Sequence, residues 1–311
     1  MSPEVPLRGP ALQPGDRVRL VSPSSPPTQA WLDESIDVVS GWGLRAEVGT
    51  HAVDTRGFMA GDDDARLADL NDALRDPGVR AVITTRGGAG AYRIADRIDV
   101  EAVKADPKPV VGFSDITNVH LALWRGARLA TIHGCLAGPT ARADVLGLLT
   151  DPRPTTIDRN PAALSAAVEV AGRATGPLVG GNLRELAGWV GTGAVDLAGA
   201  ILLIEDRRHV GIGQVDRNLT QLRRSGWLGQ VAGVVVGSFE AFAGYVDSGW
   251  TVVDVLQDRL CDLGVPVLGG LDLGHDVTTP DGSPDQHAVT LGATATIDVG
   301  AGTLTVGPCV R

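Results

Sequence analysis

Short apolar runs alternate, in the first half of the chain, with segments whose apolar positions recur every three or four residues. DRVRLVSPSSP (16–26) reads as a strand that ends in a Ser/Pro loop. AWLDESIDVVSGWG (30–43) has helical spacing and stops at glycine, and LRAEVG (44–49) is a second short strand. DDDARLADLNDALRD (62–76) opens on acids that suit a helix N-terminus and sets Leu67, Leu70 and Leu74 on one face. RAVITTRGGAGAYRIADRI (80–98) reads as strand, glycine loop and helix. KPVVGFSDITNVHLALWRG (108–126) repeats the strand–turn–helix plan, and LATIHGC (129–135) supplies one more strand. Strands that are apolar throughout and alternate with helices predict an α/β fold, its parallel sheet covered on both faces.

LTDPRPTTIDRNPAA (149–163) breaks this rhythm with Pro, Thr and Asp, which predicts a crossing between domains, its boundary between about 145 and 170. The expected organisation is an N-terminal α/β domain over 1–150, a linker over 151–175 and a smaller C-terminal α/β domain over 176–311. In the latter, GPLVGGNLRELAGWVGTG (176–193) reads as a glycine loop and short helix, and GAILLIED (199–206) as a strand that ends in two acids. QVDRNLTQLRRSGWL (214–228) is an amphipathic helix, VAGVVVGSF (231–239) a buried strand and TVVDVLQDRLCDLG (251–264) a helix closed by glycine. ATATIDVGAGTLTV (293–306) reads as a terminal β-hairpin.

Composition narrows the functional classes. With 311 residues, 43% of them apolar and 21% charged, the chain can bury a full core. A net charge of −10 and the lack of a Lys/Arg-rich tract exclude a basic nucleic-acid footprint. The start lacks a basic segment followed by an apolar one, and no apolar stretch reaches membrane-spanning length, so a cytoplasmic protein is expected. Cys135, Cys261 and Cys309 are too far apart for a disulfide framework or a cysteine-rich zinc site. Neither H-E-x-x-H nor EF-hand spacing occurs, including in DVTTPDGSPDQH (276–287), so no metal is expected.

Two turns could carry chemistry. Ser114 stands where an N-cap should stand, and capping is the simpler reading. The same strand-to-helix turn would also lift a serine Oγ over the carboxyl edge of the sheet, beside N–H groups suited to an oxyanion, although G-F-S-D-I matches only half of G-x-S-x-G. TTRGGAGAYR (84–93) could be a plain glycine turn or an oxyanion loop that meets Ser114; its spacing does not give the dinucleotide motif G-x-G-x-x-G, which argues against a nucleotide-dependent oxidoreductase. A hydrolytic serine needs a base and an acid that orients it. His120, His133 and His275 are candidate bases, and Glu205 and Asp206 end an apolar strand; spacing does not choose among them.

Taken together, GFSDITNVHLAL (112–123), IHGCLAGP, GPLVGGNLRELAGWVGT, LLIEDRRHVGIGQVDRNLTQLRRSGWLGQVAGVVVGSF and GLDLGH resemble, in order, the LD-carboxypeptidases. This is the serine peptidase family S66 that includes muramoyltetrapeptide carboxypeptidase and the microcin C immunity peptidase. The resemblance implies a Rossmann-like, glutamine-amidotransferase-like N-terminal domain and a smaller C-terminal α/β domain. It implies a triad of Ser114, Glu205 and His275, and an oxyanion hole from the backbone N–H groups of Gly88 and Asp115. The substrate's terminal carboxylate should need a cation, for which Arg86 is the candidate because it abuts the glycine loop; Gly87 and Asn182 are further candidate substrate-binding residues. Neither cofactor nor metal is implied. The implied reaction releases the terminal D-alanine of a murein tetrapeptide in peptidoglycan recycling, in a cytoplasmic homodimer with no nucleic-acid or membrane partner. The alternatives are a microcin-type hydrolase of aminoacyl-sulfamoyl adenylates, which needs aromatics absent from 151–175, and a non-catalytic binding protein, against which the joint presence of Ser114, Glu205 and His275 argues. Three departures lie near the expected cleft: Ala89 in place of Tyr, Gln214 in place of an aromatic, and a long segment after His275.

Overall fold

The computed structural model describes residues 6–193, 195–275, 277 and 285–311. The segment 278–287 that lengthens the chain after His275 therefore lies outside the described residues except at Asp285, Gln286 and His287. The chain forms two compact units. The first comprises Met1–Arg153, Ala288–Gly292 and Pro308–Arg311, and the second Pro154–His287 and Ala293–Gly307.

The first unit is built on β1 (Arg17–Val21), β2 (Arg45–Val48), β3 (Val79–Thr84), β4 (Val110–Gly112) and β5 (Thr131–His133), with helices α1 (Gln29–Gly41), α2 (Asp63–Arg75), α3 (Val100–Ala105), α4 (Thr117–Ala127) and α5 (Pro139–Thr150). These strands are mutually parallel in the order β5-β4-β3-β1-β2. Val18, Leu20, Ala81, Ile83, Val111 and Ile132 share a core with Leu32 and Val39 of α1 and Val145 and Leu148 of α5. Val82, between Ala81 and Ile83, points to the other side of the sheet and is also fully buried, so both faces are covered. Asp62 caps α2 by accepting from Ala65 N–H at 2.9 Å, and Leu67, Leu70 and Leu74 are buried as their spacing predicts.

The strand order has a consequence for function. The chain leaves β1 for β2 on one side and returns to β3 on the other, so the loops after β1 and β3 diverge from neighbouring strands. Such a switch point, at the carboxyl ends of the strands, is where open α/β sheets bind ligands.

The second unit holds β6 (Thr155–Asp158), β7 (Glu169–Val170), β8 (Arg173–Asn182), β9 (Ile201–Arg207), β10 (Gly233–Glu240) and β11 (Val267–Gly269), with α6 (Leu183–Trp189), α7 (Ile212–Arg224) and α8 (Val252–Leu260). After β12 (Val289–Leu291), which belongs to the first unit, come β13 (Thr294–Asp298) and β14 (Thr303–Val306). The sheet order is β6-β14-β13-β8-β9-β10-β11-β7, with β8 to β11 parallel and the flanking strands antiparallel. The predicted terminal hairpin is β13–β14.

The structure departs from the sequence expectation in four places. Residues 151–175 are not a separate linker: β6 and β7 form the two edges of the second sheet, positions where a nearby Pro154 is tolerated. Residues 176–311 are not one block, because β12 pairs antiparallel with β5 in the first sheet. The glycine loop at 176–182 is part of β8, and a Cβ on Gly180 would come within 2.0 Å of Leu203 O, so close strand approach explains that glycine. The helix expected after the R-G-G loop is two short 3₁₀ turns, Ala91–Arg93 and Ala95–Arg97. Among the described residues no helix is long and apolar enough to cross a membrane.

Candidate active site

In the first unit the loops at the switch point are laced together beneath Ser114. Ser22 Oγ lies 2.6 Å from Thr85 Oγ1, and Ser25 N–H donates to Gly87 O at 3.3 Å. Ser25 Oγ accepts from Ala89 N–H at 3.2 Å and donates to Phe58 O at 2.6 Å. Asp115 is buried and accepts from Ser24 Oγ at 2.6 Å, Ala91 N–H at 2.8 Å and Asn118 Nδ2 at 3.1 Å. Its carboxylate thus ties the loop after β1, the turn after the R-G-G loop and the head of α4 to the residue next to Ser114.

Ser114 is not the N-cap that its sequence position suggests. It is the first residue of a 3₁₀ turn, Ser114–Ile116, that leads into α4, and it makes no capping hydrogen bond. Its φ of 64° places it in the left-handed region, which costs a non-glycine residue about 1–3 kcal/mol and clusters at functional sites. Gly87 makes this turn possible: a Cβ there would lie 2.8 Å from Ser114 Cβ and 3.2 Å from Ser114 Oγ. Gly88 has φ 113°, and a Cβ on it would lie 2.2 Å from Ser25 Oγ. The Gly88 N–H makes no hydrogen bond among the described residues. Arg86 is exposed and donates to Pro26 O at 3.3 Å. Ser114, Asp115, Gly87, Gly88 and Arg86 thus lie on neighbouring loops at the carboxyl end of the sheet.

The second unit assembles Glu205, His275 and Asn182. Glu205 is fully buried near the carboxyl end of β9. Its Oε2 lies 2.6 Å from His275 Nδ1 and accepts from the His275 main-chain N–H at 3.3 Å, while Oε1 accepts from Asn182 Nδ2 at 3.2 Å. The parallel register pairs Asn182 of β8 directly with Glu205. Asn182 also caps α6, its Oδ1 accepting from the N–H groups of Arg184 and Glu185. The loop that carries His275 needs glycine: Gly274 has φ 96°, and a Cβ there would lie 2.5 Å from Glu205 Oε2. Gln286 Oε1 accepts from Gly274 N–H at 2.7 Å, and Ser238 Oγ donates to the carbonyls of Leu273 and His275, fixing the loop from the other side.

This geometry separates the three histidines. His120 is buried, its Nε2 turned to Gly112 O at 2.9 Å, and burial pulls its pKa down to about 3. His133 is fully buried in β5, edge-on to Phe113. His275 is oriented by the Glu205 carboxylate, with 12% of its side chain exposed. With the proton on Nδ1 directed at Glu205, the basic lone pair belongs to Nε2. Among the described residues no group of three or more His, Cys, Asp or Glu is arranged to hold a metal ion.

Ser24, Ser25, Ser238 and Gln286 support the site without having been singled out in the sequence. Ser24 and Ser25 of S-P-S-S-P carry a signal in the sequence, since their loop flanks the switch point. Gln286 has no such signal, because only the fold returns it to Gly274. Asp206, beside Glu205, is 4% exposed, and its Oδ1 accepts from Arg207 N–H at 2.7 Å and Asn182 Nδ2 at 3.3 Å. Burial, and then the charge of Glu205, raise its pKa from 3.8 to about 7. Between those values the folded protein holds a proton that the unfolded chain has released, so this group makes stability fall as pH rises from about 4 to about 7. Asp206→Asn removes that contribution. The melting temperature of the variant relative to wild type is therefore expected to rise across this window; a constant difference would contradict a protonated Asp206.

Comparisons with known proteins identify the family. Residues 18–134 match the LD-carboxypeptidase N-terminal domain and residues 175–297 the LD-carboxypeptidase C-terminal domain. An inferred carboxypeptidase of Streptomyces coelicolor is 38% identical over 96% of both chains. A probable murein peptide carboxypeptidase of Bacillus subtilis is 35% identical over 85% of both chains. The solved structure of a microcin C7 self-immunity protein superposes with a TM-score of 0.83 at 21% identity, over 98% of this chain and 100% of that one, a likeness of fold. The chain belongs to the LD-carboxypeptidase family of peptidases.

Proposed function

We propose that the protein is a serine carboxypeptidase that hydrolyses the bond between an L-centre and a terminal D-alanine in a free murein tetrapeptide. The observation that carries this reading is Ser114 itself, held at φ 64° with its Oγ against the glycine loop. The Glu205–His275 pair supplies the other half of a nucleophilic triad. In the proposed mechanism His275 Nε2 takes the Ser114 Oγ proton as Oγ bonds to the scissile carbonyl carbon. The oxyanion is held by the N–H groups of Gly88 and Asp115, helped by the N-terminal end of α4. The imidazolium then protonates the departing nitrogen, the C–N bond breaks and D-alanine leaves. Water, deprotonated by the same nitrogen, cleaves the acyl–Ser114 ester. Glu205 keeps the proton on Nδ1 and stabilises the imidazolium.

Two observations support murein peptide over an aminoacyl-sulfamoyl adenylate. The Bacillus relative is named for murein peptide. Residues 151–175 contain no Trp, Tyr or Phe to stack on an adenine. The test is mass-spectrometric: purified protein with L-Ala-γ-D-Glu-meso-diaminopimelate-D-Ala is expected to lose one D-alanine. Cleavage of aspartyl-sulfamoyl adenosine with the tetrapeptide left intact would overturn this reading.

The oxyanion assignment has its own consequence. Gly88→Ala forces a Cβ onto Ser25 Oγ and must displace the loop. Losing one donor costs about 10²–10³ in kcat, and that loss is expected here with KM little changed, in steady-state kinetics on the tetrapeptide. A variant with full kcat would remove Gly88 from the oxyanion hole.

A further inference from the structure

The first oxyanion donor sits on the least constrained residue type in a protein. Gly88 adopts φ 113°, a region that side chains rarely allow, and glycine has no side chain by which a neighbour could hold it. Its N–H makes no hydrogen bond among the described residues, so only the geometry of the loop aims it. That aim matters, because an oxyanion hole works when its dipoles already point at the place where charge develops. In the first unit, Ser25 grips the peptide on each side of Gly88. The Ser25 N–H donates to Gly87 O at 3.3 Å, and Ser25 Oγ accepts from Ala89 N–H at 3.2 Å. A trans peptide sets its C=O and N–H on opposite sides, so with Gly87 O held toward Ser25 the Gly88 N–H faces away from it. The hydroxyl is itself fixed. Ser25 Oγ donates its one proton to Phe58 O at 2.6 Å, which leaves a lone pair for Ala89. Phe58 lies in a tight turn closed by main-chain hydrogen bonds between Arg56 and Met59 at 2.9 and 3.1 Å.

We infer that Ser25 is a positioning residue for the reaction: its main-chain N–H and its hydroxyl together hold the Gly88 N–H in the direction that receives the oxyanion. The inference rests on the peptidase reading above. It follows from where the contacts fall. The peptides before and after Gly88 Cα each make a hydrogen bond to Ser25, so both φ and ψ of Gly88 are tied to this one residue. The contact is sterically tight as well as polar, since a Cβ on Gly88 would lie 2.2 Å from Ser25 Oγ and 2.5 Å from Ser25 Cβ. The other ties between these loops fall elsewhere. Ser22 Oγ meets Thr85 Oγ1 and Ala52 O, ahead of Gly87, and the Asp115 carboxylate takes Ala91 N–H, beyond Ala89. Loss of the Ser25 hydroxyl leaves the Gly88–Ala89 peptide free to turn while the Ser25 N–H still holds Gly87 O. The oxyanion donor is then loosened rather than removed.

The test compares Ser25→Ala with Ser22→Ala, which removes a buried hydrogen bond between the same two loops without touching the peptides around Gly88. Steady-state kinetics on the tetrapeptide are read beside inhibition by a tripeptide aldehyde that ends at the residue before the scissile bond. Ser114 Oγ adds to the aldehyde carbon, its proton passes to the proposed base, and the carbonyl oxygen becomes the oxyanion, so the inhibitor fills the hole without a leaving group. Ser25→Ala is expected to lose about 10- to 100-fold in kcat, short of the ~10²–10³ that follows removal of an oxyanion donor. KM should change little, and the aldehyde's inhibition constant should rise by the factor that kcat loses. Ser22→Ala is expected to melt below wild type, having lost a buried hydrogen bond, with kcat and aldehyde inhibition near wild type. If Ser25→Ala does not fold, Ser25→Cys carries the comparison: its thiol is a weaker donor and acceptor, so a smaller loss is expected, again equal in kcat and inhibition. Wild-type kcat in the Ser25 variant, a loss that Ser22→Ala matches, or a fall in kcat with aldehyde inhibition unchanged would overturn the positioning role, and D-alanine release by wild type would leave the peptidase reading standing. A wild type that releases no D-alanine would overturn that reading and this inference with it.

Discussion

Ser114→Ala is expected to abolish D-alanine release, with a loss on the order of 10⁶ in kcat if the serine acts in a triad of the usual kind. The fold should survive, and the melting temperature should hold or rise. Alanine removes only the hydroxyl, and Ser114 Oγ makes no hydrogen bond among the described residues that stabilises the turn. The left-handed φ of 64° remains, because Gly87, Phe113 and the Asp115 anchor impose it. Activity and stability thus separate at this position, as they do when strain is held at a reacting atom. Steady-state kinetics with a thermal melt of the same preparation checks both. A variant that lost activity by unfolding would assign Ser114 to structure instead.

The second large effect is expected for Glu205→Gln, a loss of about 10⁴ in kcat, the scale on which a mis-set histidine tautomer acts in a serine triad. The surroundings of Glu205 make the substitution worse than a simple loss of charge. Among the donors on this carboxylate are Asn182 Nδ2 on Oε1, and His275 N–H and Nδ1 on Oε2. Glutamine offers one oxygen and one NH₂. If the oxygen faces Asn182, the NH₂ opposes the His275 main chain and forces the imidazole proton onto Nε2, the nitrogen that must act as base. If the oxygen faces His275, the NH₂ opposes that of Asn182 in a buried site, where an unmet donor costs about 1–3 kcal/mol. Measured kcat should fall far more than KM changes. A loss below tenfold would contradict the orienting role of Glu205.

The sequence was informative where local geometry alone decides the outcome. The periodicity of α2, the β13–β14 hairpin and the repeated strand–turn–helix units follow from residues close together in the chain. The Ser114 turn was visible too, but its left-handed conformation was not: it results from Gly87, a residue on another loop that admits no Cβ. What stayed hidden was non-local. Val289–Leu291 is only three residues, Val-Thr-Leu, too short for a period, and only pairing with β5 makes it a strand of the first unit. Asn182 carried no sign that its amide serves Glu205; the parallel register of β8 and β9 produces that contact. The choice among His120, His133 and His275 likewise waited for burial and for the Glu205 carboxylate.

The central claim is that hydrolysis passes through an acyl group on Ser114, and partitioning by hydroxylamine tests it most directly. Wild type and Ser114→Ala would each be incubated with the tetrapeptide and hydroxylamine, with D-alanine, tripeptide and tripeptide hydroxamate quantified from one reaction. The account predicts that wild type diverts tripeptide to hydroxamate as hydroxylamine rises, and that all three products vanish in Ser114→Ala. D-alanine release that persists in the variant would contradict it.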